Sequence, residues 1–147
     1  MPFKPLRLLI AYDAAGNRCG RVVKRMKELL EARAFEVDEL EIGAAVPDLD
    51  DYQGVIIGTP VMGLSLRDKG PTEKVAAFIR ETEGLDEKKV ALFCVFDVRP
   101  GTVFDRMKNL LNERGSDVVT EYPYWRLQPR DGEDGLPAEC MIRIRTR

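Results

Sequence analysis

The sequence predicts a doubly wound α/β domain, with a five-stranded parallel sheet and helices on both faces. Three observations predict it. Strand-length apolar runs alternate with amphipathic helical segments along the chain, as right-handed βαβ crossovers require. The runs Gly54 to Thr59 (GVIIGT) and Val90 to Phe96 (VALFCVF) are apolar without alternation, which fits strands buried on both faces. The length of 147 residues suits one domain, since a domain takes about 150. The expected organisation is a single domain over 1–147, with βα units over 6–122 and a closing loop and short element over 123–147.

Leu6 to Tyr12 (LRLLIAY) is too short for a buried helix and reads as the first strand. Between residues 18 and 34, Val22, Val23, Met26, Leu29 and Leu30 fall on one helical face. Phe35, Val37, Leu40 and Ile42 suggest a second strand, less buried than the first. Ala44 to Tyr52, with Pro47, has room for a turn or two of helix. After the third strand, Gly70-Pro71-Thr72-Glu73 opens a helix with Pro71 near its first position. Val75, Phe78, Ile79 and Thr82 form its inner face, and Gly84 is placed to end it.

Following the fourth strand, Thr102 is the expected N-cap of a helix with Asp105 three residues on. Phe104, Met107, Leu110 and Leu111 make its stripe, and Gly115 its stop. Asp117 to Tyr122 (DVVTEY) reads as the fifth strand. Trp125 to Gly135 reads as loop. The segment from Leu136 to Ile144 fits a short closing helix, although Met141 to Arg145 also fits strand alternation.

Composition narrows the chemistry. The chain is 44% hydrophobic and 33% charged, with a formal net charge of −2, values of an ordinary globular protein. The computed pI of 5.4 argues against nucleic-acid binding through bulk positive charge. There is no histidine, so the chain itself holds no Ser-His-Asp triad, no Cys-His dyad and no His-ligated metal. Cys19, Cys94 and Cys140 lie far apart without a C-x-x-C pair, which suggests neither zinc nor a disulfide framework. The odd count points to a reducing compartment. No apolar run approaches the length of a membrane span, and the Met1–Pro5 start does not read as a signal peptide. The expectation is a cytoplasmic protein, with neither membrane nor nucleic acid as partner.

In an open α/β sheet, ligands bind beyond the carboxyl ends of the strands, where the strand order reverses. Three loops leave those ends: Asp13–Arg18, Pro60–Gly70 and Asp97–Gly101. The first opens a helix, whose free N–H groups and dipole favour an anion. Gly16 permits tight curvature there, and Asn17 can cap the helix. Many helix starts of this kind bind nothing, so both readings stand at this point.

The segment Ala11-Tyr12-Asp13-Ala14-Ala15-Gly16-Asn17-Arg18 resembles the flavodoxin phosphate loop, S/T-x-T-G-N-T after the first strand. Asp50 to Pro60 (DDYQGVIIGTP) resembles the flavodoxin third strand, Y-D-x-x-x-x-G-S/T-P. Val90 to Gly101 matches the fourth strand and its flavin-contacting loop.

The resemblance spans roughly residues 6–122 and implies a flavodoxin-like three-layer sandwich of strand order 2-1-3-4-5. It also implies flavin mononucleotide (FMN) as cofactor, and electron transfer without a catalytic side chain. The phosphate would lie on Asp13, Ala14, Ala15, Gly16, Asn17 and Arg18. The isoalloxazine would lie between Thr59, Pro60, Val61, Met62 and Gly63 on one side and Phe96, Asp97, Val98, Arg99 and Gly101 on the other. The sequence departs from the family where hydroxyls are usual, with Asp13, Ala15 and Arg18 in their place. Pro60–Gly70 has no aromatic to stack on the ring. Val61, Met62 and Leu64 offer an apolar wall instead, and Tyr124 or Trp125 are candidates from the last loop.

Individual residues keep more than one reading. Arg18 is a phosphate ligand, a solvated first-turn residue or the counter-ion of Asp13. Cys19 reads as a small filler more than a reactive thiol, and Cys94 as core. Asp97 and Arg99 touch a ribityl chain or form a surface pair of little energetic weight. Asp48, Asp50 and Asp51 read as a solvated turn, with docking of a basic redox partner protein as the sharper alternative. Two functions follow: an FMN-dependent electron carrier or small reductase, and a flavodoxin-fold binding or regulatory module that has lost the flavin. A phospho-receiver is set aside, because only Asp13 and then Thr59 stand where its acidic cluster belongs.

Overall fold

A computed structural model describes residues 6–15, 18–61, 70–96 and 100–125, with the backbone alone for Arg18. Five strands are described: β1 (Arg7–Tyr12), β2 (Glu36–Glu41), β3 (Gly54–Val61), β4 (Lys89–Phe96) and β5 (Asp117–Trp125). All pair in parallel in the order β2-β1-β3-β4-β5, as the resemblance implies. The helices are α1 (Arg18–Glu31), α2 (Glu73–Glu81) and α3 (Val103–Arg114). Residues 44–52 hold a single 3₁₀ turn, Leu49–Asp51. No described helix is long and apolar enough to cross a membrane.

Strand alternation sorts the core into two halves. On one face Leu8, Ile10, Ile56, Phe93 and Val95 meet Val22, Val23, Met26 and Leu30 of α1. On the other, Leu9, Ala11, Val55, Ile57, Leu92 and Cys94 meet Val75, Phe78 and Ile79 of α2 and Val103, Met107 and Leu111 of α3. Every residue of β3 is buried, which explains its unbroken apolar run. The edge strand β2 keeps only Val37 and Leu40 buried, one to each half of the core.

Several details differ from the sequence reading. β3 runs on through Pro60 to Val61. Asp13 N–H donates to the Gly58 carbonyl at 3.3 Å, so Gly58, and by alternation Pro60, turn their backbone toward β1. The β1 pairing ends at Tyr12 opposite Gly58, so Pro60 lacks an N–H where no ladder bond is available. Gly58 is needed for packing, since an added Cβ would stand 2.0 Å from the tip of the buried Phe93 ring.

The α2 helix is capped by Thr72, with Pro71 one residue further out. It stops at Thr82 rather than Gly84, whose φ of +91° serves the following turn. The Arg114 guanidinium closes that end, donating to the carbonyls of Ile79, Arg80 and Thr82 at 2.9, 2.8 and 2.7 Å and so satisfying acceptors that a helix leaves open. Thr102 occupies the α3 N-cap position without a side-chain capping bond. Gly115 ends α3 in the left-handed region, as expected. β5 extends to Trp125, so Pro123, Tyr124 and Trp125 are strand rather than loop. Residues 126–147, where the closing element was expected, lie outside the described residues.

At the amino edge of the sheet, Tyr52 Oη donates to Asp38 Oδ2 at 2.7 Å and Arg7 Nη2 reaches the same oxygen at 3.0 Å. The Arg7 guanidinium also lies over the Tyr52 ring, 4.8 Å from its centre, a cation–π contact. Burial first, and then the bond to Asp38, push the Tyr52 phenol up to about 12 from 10.0. The same Tyr52 bond is the largest cause holding the Asp38 carboxyl below its ordinary value.

Two outcomes are expected. Gly58→Ala destabilises the protein by about 1–3 kcal/mol through overpacking against Phe93, measurable as a lower urea midpoint. Tyr52 holds its proton more tightly when folded, so the stability it contributes is present below pH 10 and fades between pH 10 and about 12. The stability gap between wild type and Tyr52→Phe is therefore constant at neutral pH and closes across that alkaline window in denaturation measured at stepped pH.

Candidate functional site

The parallel sheet brings the carboxyl ends of β1, β3, β4 and β5 to one edge, and β1 and β3 are where the chain reverses direction across the sheet. Asp13 follows β1 directly and is 4% exposed. Its Oδ1 accepts the Ala15 N–H at 3.0 Å, which folds the turn back on its own first residue. Its Oδ2 accepts the hydroxyl of Thr72 at 2.6 Å, across 59 residues of chain. Charge-assisted bonds of this kind make a buried carboxylate tolerable.

Thr72 has three further tasks as the α2 N-cap. Its Oγ1 accepts Val75 N–H at 3.4 Å. Its backbone N–H donates to Thr59 Oγ1 at 3.1 Å. Its carbonyl accepts the Ala76 N–H at 3.0 Å. Thr59 is fully buried, and its hydroxyl also donates to the Pro60 carbonyl at 3.2 Å. One hydrogen-bonded chain thus runs from Ala15 through Asp13 and Thr72 to Thr59, joining the β1–α1 turn to the start of α2 and the end of β3.

The sequence-predicted site residues are placed as follows. Asp13, Ala14 and Ala15 form the described part of the β1–α1 turn. Thr59, Pro60 and Val61 are buried at the end of β3, with the Thr59 hydroxyl spent on the protein. Phe96 ends β4 in register with Val61 and Trp125, and Gly101 sits in the turn before α3 with φ of +63°. Gly16, Asn17, Met62, Gly63, Leu64, Asp97, Val98, Arg99 and the side chain of Arg18 lie outside the described residues.

Tyr124 does not face this edge. It is buried against the Phe93 ring, edge to face at 6.1 Å, and beside Tyr122 at 4.8 Å. Trp125 is 43% exposed at the end of β5, in register with Phe96. Cys19 and Cys94 are both fully buried, and burial pushes the Cys94 thiol up to about 12. Both act as packing groups. Asp48, Asp50 and Asp51 lie just before β3, at the opposite edge, where Asp48 Oδ1 caps the Asp50 N–H at 3.0 Å.

A cleft of ≈ 400 Å³ adjoins the β1–α1 turn, lined by Asp13, Ala14, Ala15, Glu41, Ile42, Gly43, Ala44 and Lys74. Its charged lining is two carboxylates and one ammonium. Tyr12, the last residue of β1, has its phenol raised first by burial and then by Glu39 and Glu41. A larger cleft of ≈ 940 Å³ runs along α2 between Val46, Leu49, Phe78 and Glu81, toward the amino edge.

The fit to FMN is therefore divided. The partly exposed Phe96 and Trp125 offer apolar and aromatic surface of the kind a flat ring needs. The described part of the β1–α1 turn does not suit a phosphate dianion, because a carboxylate already takes the Ala15 N–H. Sequence reasoning identified Asp13 but not its partners. Thr72 was visible only as part of a helix start, and no local signal ties it to a residue so distant.

No protein-family model matches the sequence, and no curated protein does. Solved structures match over nearly the whole chain. The two-electron reduced flavodoxin of Megasphaera elsdenii has a TM-score of 0.71 at 19% identity, covering 90% of this chain and 98% of that one. The oxidised flavodoxin 1 of Bacillus cereus has a TM-score of 0.74 at 19% identity, covering 92% and 97%. The rubredoxin oxygen:oxidoreductase of Desulfovibrio gigas gives 0.77 at 18% identity, over 97% of this chain and 36% of its own. The chain has the flavodoxin-like fold.

Thr72→Val is expected to cost about 1–3 kcal/mol, since it removes a helix cap and leaves a buried carboxylate oxygen short of a donor. Urea denaturation monitored by far-UV circular dichroism measures it.

Proposed function

We propose that this chain is a flavin-dependent electron carrier of the flavodoxin kind, taking FMN at the carboxyl edge of its sheet. The observation that carries the reading is the fold match over the full length of solved flavodoxins, two of them in oxidised and two-electron reduced states. The placement of Phe96 and the exposed Trp125 at the strand ends supports it, since a flat apolar ring needs such a surface. An electron carrier exchanges electrons with another protein, and a redox partner is part of the proposal.

A second reading is favoured by one specific observation. The Asp13 carboxylate sits on the Ala15 N–H, as it would in a flavodoxin-fold binding or regulatory module without FMN. Titration of the purified protein with FMN and with riboflavin, followed by quenching of flavin fluorescence, separates the two readings. The electron-carrier reading expects saturable quenching at tens of micromolar or below, and reversible bleaching of the bound flavin on anaerobic reduction and reoxidation. Absence of quenching by either flavin at those concentrations selects the second reading.

A further inference from the structure

We propose that the cleft along α2 is a docking groove for a basic segment of another protein, which lays an apolar side chain on Val46 and Phe78 and sets a Lys or Arg among Asp48, Asp50, Glu81 and Glu83. The inference stands on the cleft and makes no use of the flavin reading.

The cleft holds ≈ 940 Å³, against ≈ 400 Å³ for the one beside the β1–α1 turn. One wall is a face of α2, where Lys74, Ala77, Phe78 and Glu81 follow one another at the spacing of a single helical stripe. The other wall comes from the segment between Ile42 and Asp50. Residues 43–48 are all exposed, so this wall faces solvent and leaves the cleft open along its length. Val46 is 43% exposed and, with Trp125, is one of the exposed large hydrophobic side chains among the described residues. Covering it removes apolar surface from water.

The charges divide along the cleft. Lys74 lies in the first turn of α2, while Asp48, Asp50, Glu81 and Glu83 gather at the amino edge. Asp50, Glu81 and Glu83 make no side-chain ion pair or hydrogen bond among the described residues. The cations behind them are occupied: Lys88 by the carbonyls of Leu49 and Tyr52, both at 2.8 Å, and Arg114 by the carbonyls that end α2. Carboxylates gathered at one end favour a cation there. Exposed ion pairs contribute little singly, so recognition needs the apolar contact as well, the pairing of anchor and charged rim that protein interfaces use. A small cation meets only the carboxylates, and an apolar molecule only Val46 and Phe78. A basic chain with an apolar side chain meets both. The acidic end lies at the edge opposite the strand ends, so a partner held there leaves the carboxyl edge open.

The test is fluorescence anisotropy at low ionic strength with a labelled peptide of alternating lysine and leucine, and with glutamate–leucine and lysine–serine peptides of the same length. The lysine–leucine peptide is expected to bind, with affinity falling as salt is added, and the other two to bind at least about tenfold more weakly. Glu81→Lys combined with Glu83→Lys is expected to weaken its binding at least about tenfold, and Val46→Ser at least about threefold. Glu31→Lys combined with Glu113→Lys makes the same change in net charge outside the cleft and is expected to leave affinity within about twofold. All five side chains are exposed, so each variant is expected to keep the wild-type circular dichroism. Equal losses from the two charge-reversed pairs overturn the inference, and so does a wild type that does not bind the lysine–leucine peptide. Self-association in sedimentation velocity that Glu81→Lys with Glu83→Lys abolishes gives the cleft to a second copy and overturns it. Amide NMR shifts at Ala77 and Phe78 on Arg143→Glu with Arg145→Glu, in the peptide-free chain, give it to the chain's own final segment and overturn it as well.

Discussion

A carboxylate taken out of water must be met by donors from the protein, and Asp13 is such a carboxylate. The architecture of the carboxyl edge follows from how that demand is satisfied. Ala15 supplies its backbone N–H and Thr72 its hydroxyl, so the first turn and the second helix are located by the same group. Thr72 can reach it because Thr59 holds the Thr72 backbone from the end of β3. The bonds therefore do two things together. They keep a charge soluble in a low-dielectric corner, and they fix how two strand-end loops sit against each other.

Most of the fold was legible because it rests on periodicity and apolar content. Strands buried on both faces read as unbroken runs in β3 and β4, and the stripes of α1, α2 and α3 fall on most of the predicted residues, with Leu29 only half-buried and Val103 joining the α3 stripe. What escaped has local physical causes. β5 carries a bulge: Val118 pairs with Val90 but Thr120 with Ala91, leaving Val119 as the extra residue. The bulge moves Tyr122 and Tyr124 to the α1 side while Val118 packs on the other, against simple alternation. The end of α1 carries no glycine signal, because Ala34 adopts φ of +69° in its place. The α2 terminus is satisfied by Arg114 from α3, a partner that no local pattern names.

The candidate site was legible as a place and less so as a chemistry. Topology alone puts it at the carboxyl edge, where the β1–α1 turn, Thr59–Val61 and Phe96 all arrive. The sequence shows Asp13 where a hydroxyl is usual, but motif spacing could not reveal that its carboxylate takes the Ala15 amide and the Thr72 hydroxyl. Nor could it show that Tyr124 turns away and Trp125 remains at the edge. The electron-carrier proposal draws on the fold and on the groups at the strand ends, while the described part of the turn already carries a carboxylate of its own.

The account depends on the Ala15 amide being engaged by Asp13. Native-state amide hydrogen exchange, read residue by residue by NMR on the ligand-free protein, reports on that bond directly. The account predicts that Ala15 N–H is protected in the wild type and that its protection falls sharply in Asp13→Ala, with Thr72 N–H slowed in both by its separate bond to Thr59. An Ala15 amide that exchanges as fast as an open-loop amide in the wild type, unaltered by Asp13→Ala, would contradict it.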